Sequence, residues 1–317
     1  MSSYLLRRVG QAVAVVIGVM VLTFVMLHLE PGSAARATLG VKATPGRIAI
    51  FNSVNGLDQP LYKQFLTYVR QVCEGDLGTS YSLQQPVSTL IAQRVPRDAV
   101  LVGISTVLSL LIALPLGIGQ AVRRGGFADN VLTAVAFVLY SMPDFFFALL
   151  LISVFCVQLH LLPPEAPQAV SVGGILADPR ALVLPLATMT LGSFSGYSRY
   201  MRSSAIDALA QDYIRVVRAK GLPERLVLAR HVLRNSMLPI ITLLGLSAPG
   251  IVAGAVIAEE VFNYPGMGLL FFQAATSHDY PILLGSTLVV GVATVAGNLV
   301  ADVVYSLLDP RIRYVSS

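Results

Sequence analysis

Charge is scarce in this 317-residue chain: 12% of its residues are Asp, Glu, Lys or Arg, against about 25% in a typical soluble domain. A soluble globule of this length needs more polar side chains than that to cover its surface. With 55% hydrophobic residues and a mean hydropathy of +0.72, the composition implies that lipid covers much of the protein. Tryptophan is absent, and cysteine occurs twice, Cys73 in a polar stretch and Cys156 in an apolar run. Two such cysteines exclude a dense disulfide framework, and no CxxC pair offers a metal site. Lysine occurs three times, as Lys42, Lys63 and Lys220. None follows the Gly-rich turn of a phosphate-binding loop, so if ATP drives this protein another chain binds it. The histidines are His28, His160, His231 and His278, with no HExxH and no pair four apart. Catalytic and metal-ligating residues are therefore predicted to be absent. The net charge of +5 matters through its placement, and no nucleic-acid partner is expected.

What is abundant is apolar sequence in long runs, at 9–29, 98–122, 131–158, 182–200, 236–258 and 282–307. Each supplies roughly 20 residues, enough to cross a hydrocarbon core of about 30 Å as a helix. Helices are the expected form, because lipid cannot satisfy an open strand edge. The first run follows Arg7 and Arg8 but is longer than the apolar core of a signal peptide, and reads as a retained span. With the N-terminus in the cytoplasm, 14 of the 22 Lys and Arg residues fall inside. Seven of the remaining eight lie in one long external loop, where charge bias loses force. Six transmembrane helices with both termini cytoplasmic are thus predicted. The chain divides into 1–97, a first span plus an external loop subdomain, and 98–317, a five-span core.

Two loops are long enough to carry function. The external one, about 30–97, contains Pro31-Gly32, Pro45-Gly46 and Gly56-Leu57-Asp58-Gln59-Pro60, then the amphipathic Leu61–Val69, and predicts a small folded cap. The internal one, about 201–235, is basic and interrupted by Lys220-Gly221-Leu222-Pro223. Helical stretches at 204–218 and 224–234 flank that break, so the loop predicts a helix–turn–helix.

Polar groups inside apolar runs point to a transport path. Ser141, Pro143 and Asp144, placed near the middle of the third span, and Asn298 and Asp302, in the inner half of the sixth, are the candidates. Glu259 and Glu260 close the fifth span at its outer end. Pro115, Pro143 and Pro249 are expected to kink or open their helices.

The internal loop reads Asp212-Tyr213-Ile214-Arg215-Val216-Val217-Arg218-Ala219-Lys220-Gly221-Leu222, continues through His231-Val232-Leu233-Arg234-Asn235 and reaches Leu238-Pro239. This resembles the cytoplasmic EAA-type loop of ABC importer permeases, in the form found in the dipeptide/oligopeptide permease family. Ala258-Glu259-Glu260-Val261-Phe262-Asn263-Tyr264-Pro265-Gly266-Met267-Gly268, Asp279-Tyr280-Pro281, Leu308-Asp309-Pro310-Arg311-Ile312-Arg313-Tyr314, Leu5-Leu6-Arg7-Arg8 and Gly75–Ser80 agree with that family in the same order. Arg215-Val216-Val217 occupies the Glu-Ala-Ala positions, so no docking glutamate carries over.

The resemblance implies a type I ABC importer permease fold in the bacterial plasma membrane. It implies a second homologous permease subunit, two ATPase subunits or one fused ATPase that bind the ATP and Mg, and an extracytoplasmic binding protein. Tyr213, Arg215, Arg218, Ala219, Lys220, Gly221, Leu222, Pro223 and Arg230 would form the ATPase-coupling loop, and the external loop near Gln84 to Arg97 would meet the binding protein. The implied cargo is a di- or oligopeptide, with nickel, glutathione or another small solute on the same scaffold as the alternative. An ion-coupled secondary transporter is the alternative of a different class, but it leaves the basic internal loop without a purpose.

Overall fold

The computed structural model describes the backbone of residues 2–29, 32–247 and 250–308, and side chains between 10 and 299 except 30, 31, 246, 248 and 249. Helix α1 spans Ser2–Leu29. Three short helices of the external loop follow. In α2 (Ala34–Leu39), Ser33 caps the N-terminus by accepting from the Arg36 N–H; α3 is Pro45–Val54 and α4 is Leu61–Cys73. The stretch 34–73 is thus largely helical, and its amphipathic part, 61–69, lies within α4. Phe65 and Tyr68 of α4 pack on Met20 and Phe24 of α1 and on Leu288.

Helix α5 runs unbroken over Val87–Val122, starting eleven residues before the apolar run at 98. Residues 87–97 are amphipathic, not apolar: Val87, Leu90 and Ile91 are buried while Ser88, Thr89, Ala92 and Gln93 are exposed, so hydropathy alone does not find this first part. Pro115 does not break α5. It sits on the exposed side, where the missing N–H and the ring disturb no packing partner.

Helix α6 (Phe127–Ser141) and helix α7 (Asp144–Leu151, continued as π-helix through Gln158) meet at a bend of 103°. The expected third span is therefore two segments. The cause is local: a residue before proline is pushed out of the helical region, and Met142 is extended at φ −82°, ψ 127°. Pro143 then opens α7 with its fixed φ and no donor.

After α8 (Val172–Leu176), helix α9 extends over Pro179–Leu209. Then come α10 (Asp212–Ala219), α11 (Glu224–Leu226, continued as π-helix through Val232), α12 (Leu233–Ser247), α13 (Gly250–Ala253), α14 (Val256–Val261), α15 (Met267–Ser277) and α16 (Tyr280–Leu308). Among the described residues there is no strand, only an isolated bridge between Thr79 and Pro86.

Helices α5 and α9 form the centre. Leu101, Ser105, Ser109, Ala113, Gly117 and Ala121 of α5 are all buried and recur every four residues, so small side chains form one continuous stripe. A Cβ on Gly117 would lie 2.8 Å from the Met201 Cβ and 3.0 Å from the Ser198 carbonyl oxygen of α9. The Ser109 hydroxyl donates to the Thr190 carbonyl at 2.7 Å, and the Thr188 and Ser195 hydroxyls donate back to carbonyls of α9 itself. These hydroxyls give α9 enough polarity that it fails a hydropathy test its length would pass. Among the described residues, four stretches are long and apolar enough to cross a membrane, Gly10–Leu29, Val87–Val122, Glu224–Val261 and Tyr280–Leu299, and the broken α6–α7 pair adds a fifth. The 182–200 run lies wholly within α9.

Candidate functional site

The internal loop folds as its sequence predicts. α10 ends at Lys220, and Gly221 takes φ +79°, the left-handed region that glycine enters freely. Its N–H donates to the Arg218 carbonyl at 2.9 Å. Across the turn the Arg218 guanidinium donates to both Glu224 carboxylate oxygens, at 2.6 and 3.1 Å. That bond holds Arg218 above its ordinary pKa. Ile214 is fully buried against Ala121, Ala205, Ala208, Val227 and Val232, so α10 is anchored to the ends of α5 and α9. The opposite face is open: Tyr213, Arg215, Val216, Arg218, Ala219, Lys220, Gly221, Pro223 and Arg230 are exposed and Leu222 is half-buried. Tyr213 pairs with Asn235. The result is a fixed, cationic, partly apolar knob.

Just above, Asp129 of α6 accepts two bonds from Arg202 of α9 at 2.7 and 2.8 Å, and one from the Gly125 N–H at 2.9 Å. Gln120, Thr133 and Ser198 extend this network. It ties the start of α6 to the stretch of α9 that leads into the knob.

A second feature is a cavity of about 490 Å³ at the α6–α7 bend. Tyr140, Met142, Asp144, Thr188, Gly192 and Ser195 contribute to its wall, with the start of α14. Asp144 does not lie inside a helix, as the sequence suggests, but opens α7. Its Oδ1 is 3.4 Å from where a Cβ on Gly192 would sit. Ser141 and Pro143 are exposed beside it. Asn298 is exposed on α16, and none of the described side chains of α16 lines this cavity. The side chain of Asp302 lies outside the described residues, as do Pro249 and the motif beyond Leu308.

A third feature pairs Glu259, which the sequence singles out, with Asp98, which it does not. Asp98 and Glu259 are both fully buried, and one Oδ of Asp98 and one Oε of Glu259 flank the same point beside Gly266. Glu259 accepts from the Ala255 N–H and from the Leu269 N–H at 2.8 Å; Asp98 accepts from the Met267 N–H at 2.9 Å. A Cβ on Gly254 (φ +74°) or Gly266 would collide with the carboxylate pair, and one on Gly268 with the Val256 backbone. Arg97, also buried, donates to the carbonyls of Val170 and Pro265, and the Tyr264 hydroxyl donates to the Arg97 carbonyl. In this buried lock Asp98 therefore ties α5 to the segment 254–269 and Glu259 staples that segment to itself, whereas Glu260 is exposed. The available signal was a carboxylate at the head of an apolar run, Asp98, with the glycines around Glu259. A fourth arrangement joins two motifs far apart in the chain: buried Asp279 accepts from the Ser80 and Ser82 hydroxyls at 2.6 and 2.7 Å and from the Ser82 N–H at 2.9 Å. Among the described residues, no group of three or more His, Cys, Asp or Glu could hold a metal ion.

Residues 113–314 match the family model described as binding-protein-dependent transport system inner membrane component, and residues 1–102 match the model for the N-terminal part of such membrane components. The oligopeptide transport system permease protein AppB of Bacillus subtilis is 36% identical over 316 residues, covering 99% of this chain and all of that protein. A putative peptide permease protein of Brucella ovis is 37% identical over 317 residues, 99% of each chain. The glutathione transport system permease protein GsiC of Salmonella choleraesuis is 36% identical over 314 residues, 99% of this chain and all of that one. In structure, the chain is similar to the MetNI methionine ABC transporter in an inward-facing form, with a TM-score of 0.54 at 15% identity, covering 70% of this chain and 97% of the other. Full-length likeness at this level, on a helical frame with an exposed basic turn, means that the chain belongs to the family of binding-protein-dependent transport system inner membrane components: it is a multi-pass ABC importer permease.

Proposed function

We propose that this permease forms half of the translocation pathway of an importer for di- and oligopeptides and that the Gly221 turn is where it is driven. The carrying observation is the knob at 212–223: anchored by Ile214 on one face and exposing Tyr213, Val216 and a row of cations on the other. A second, homologous permease completes the path. Two ATPase subunits, or one fused ATPase, bind ATP and Mg and receive the knob in a surface groove. An extracytoplasmic binding protein docks on the opposite face. Residues from Val87 onward are part of α5, so the exposed turn at 82–86 is the part of the external loop best placed to meet it. Counting α9 and the broken α6–α7 pair as one span each gives six crossings with both termini inside. The path includes the cavity bordered by Asp144, with Ser141 and Pro143 at its bend.

Peptide cargo is supported by the names of the Bacillus and Brucella relatives. A glutathione cargo is the second reading, favoured by the Salmonella relative at equal identity; glutathione is itself a modified tripeptide. The test is Gly221→Arg in the assembled importer. A Cβ there meets no atom within 4 Å, so the substitution acts through backbone strain of about 1–2 kcal/mol and through bulk at the docking surface. The expected result is normal membrane insertion, with ATP hydrolysis no longer stimulated by the loaded binding protein and uptake abolished. Normal uptake by this variant would refute the docking role.

A further inference from the structure

Asp144 and Arg199 lie on one side of the molecule, and nothing so far gives the pair a role. Asp144 is exposed at the cavity, against Gly192 of α9. Arg199, seven residues along α9 from Gly192, is exposed too, and its guanidinium stacks over the rings of Tyr140 at 4.7 Å and Phe137 at 5.1 Å. Seven residues are two helical turns and fall on nearly the same face, about 20° apart. The rise between them is about 10 Å. Tyr140 and Asp144 both line the cavity, so the guanidinium of Arg199 stacks on one wall residue of the space and the carboxylate belongs to another. Both ionic groups stand on surface that is otherwise aromatic and aliphatic, with Phe137, Tyr140, Phe145 and Phe146 all exposed. Charge of both signs on such a surface is costly against lipid, and it fits a wet path. Stacking on two rings holds the planar guanidinium in place while leaving its N–H edges free to donate.

We infer that Asp144 and Arg199 form a bipolar reading site for short zwitterionic peptides, Asp144 taking the α-ammonium and Arg199 the terminal carboxylate. An extended chain covers about 3.3–3.6 Å per residue, so the rise of about 10 Å between Gly192 and Arg199 on α9 is on the scale of a peptide of roughly three residues. Apolar walls between the two charges tolerate varied side chains, and the fixed charges demand free termini. This inference rests on the importer reading above and adds to it which groups of the cargo the path recognises.

The experiment uses the complete importer, this chain with its permease partner, ATPase and binding protein, in proteoliposomes, with radiolabelled trialanine as the probe. The readout is trialanine moved per ATP hydrolysed, with assembly checked by size-exclusion chromatography. Asp144→Asn and Arg199→Gln each remove one charge-assisted contact and are expected to lower that ratio about tenfold or more. Asp144→Glu and Arg199→Lys keep the charges and are expected to restore at least a third of it. Asparagine and glutamine variants that stay within twofold of wild type overturn the inference. So does a loss that the charge-keeping variants fail to restore, because that is the signature of a packing role. Absence of trialanine uptake by the wild-type importer, with its ATPase intact, would overturn the peptide reading itself.

Discussion

Replacing Glu259 by alanine tests the buried lock at its most exposed assumption, that a carboxylate with no access to solvent holds the chain together. The Glu259 side chain is the acceptor for the N–H groups of Ala255 and Leu269. Truncation leaves both donors buried and without a partner at about 1–3 kcal/mol each, and opens a void walled by Gly254 and Gly266. Relief of repulsion from Asp98 offsets part of this, so the net loss is about 3–5 kcal/mol. For a chain of this size that corresponds to a fall in melting temperature of roughly 5–8 °C. Because the protein has no tryptophan, unfolding is best followed with a thiol-reactive dye. Cys73 is exposed and Cys156 is half-buried, so a Cys73→Ser background leaves Cys156 to report. Glu260→Ala, one residue on and exposed, is the control and should shift the transition by no more than about 1–2 °C. Asp98→Asn sharpens the test. One Asp98 oxygen has no hydrogen-bond partner in the structure and faces Glu259, so an amide there gains an acceptor and stability should hold or rise. Equal effects of Glu259→Ala and Glu260→Ala, or a collapse with Asp98→Asn, would refute the account.

Two further outcomes follow from the packing. Arg202→Ala strands Asp129, whose side chain is 1% exposed; allowing for the partial exposure of Arg202, the loss is about 2–3 kcal/mol. The Asp129→Ala/Arg202→Ala double variant should recover part of it in a double-mutant cycle. Gly117→Leu forces branched carbons into the Met201 side chain and the Ser198 carbonyl. It should destabilise the chain by about 1–3 kcal/mol in thermal melts and lower the yield of assembled importer.

The internal loop was legible because its signals are local. Gly221 and Pro223 punctuate two amphipathic stretches, and the structure puts the left-handed residue at Gly221. The external cap was legible for the same reason, through Pro45 at the start of α3 and the periodicity of α4. The lock was legible only in part: Glu259 stands out at the end of an apolar run, but Asp98, 161 positions away, does not, and nothing in either window points to the other. The bend at Met142 was half legible: Pro143 marked it, but Asp144 reads as mid-span only if the helix is assumed to continue. α9 hides behind its own hydroxyl groups, which lower its hydropathy and serve the packing against α5. The four-residue recurrence from Leu101 to Ala121 was present in the sequence throughout, and needs a search for small residues, not for apolar ones.

The unbroken α9 has a mechanical consequence. Its end at Ala208 rests on the core that anchors α10, and Gly192, beside Asp144, lies sixteen residues earlier, about 24 Å along the axis. Pivoted at its Ala208 end, a helix of that reach turns a tilt of about 10° into roughly 4 Å of sideways travel at the cavity, about the width of an extended peptide strand. Under the coupling proposed for the Gly221 turn, gear ratio, more than strength of grip, would set how far closure of the driving subunit moves the wall of the cavity. Substitutions along the seam should alter stroke length before they alter affinity.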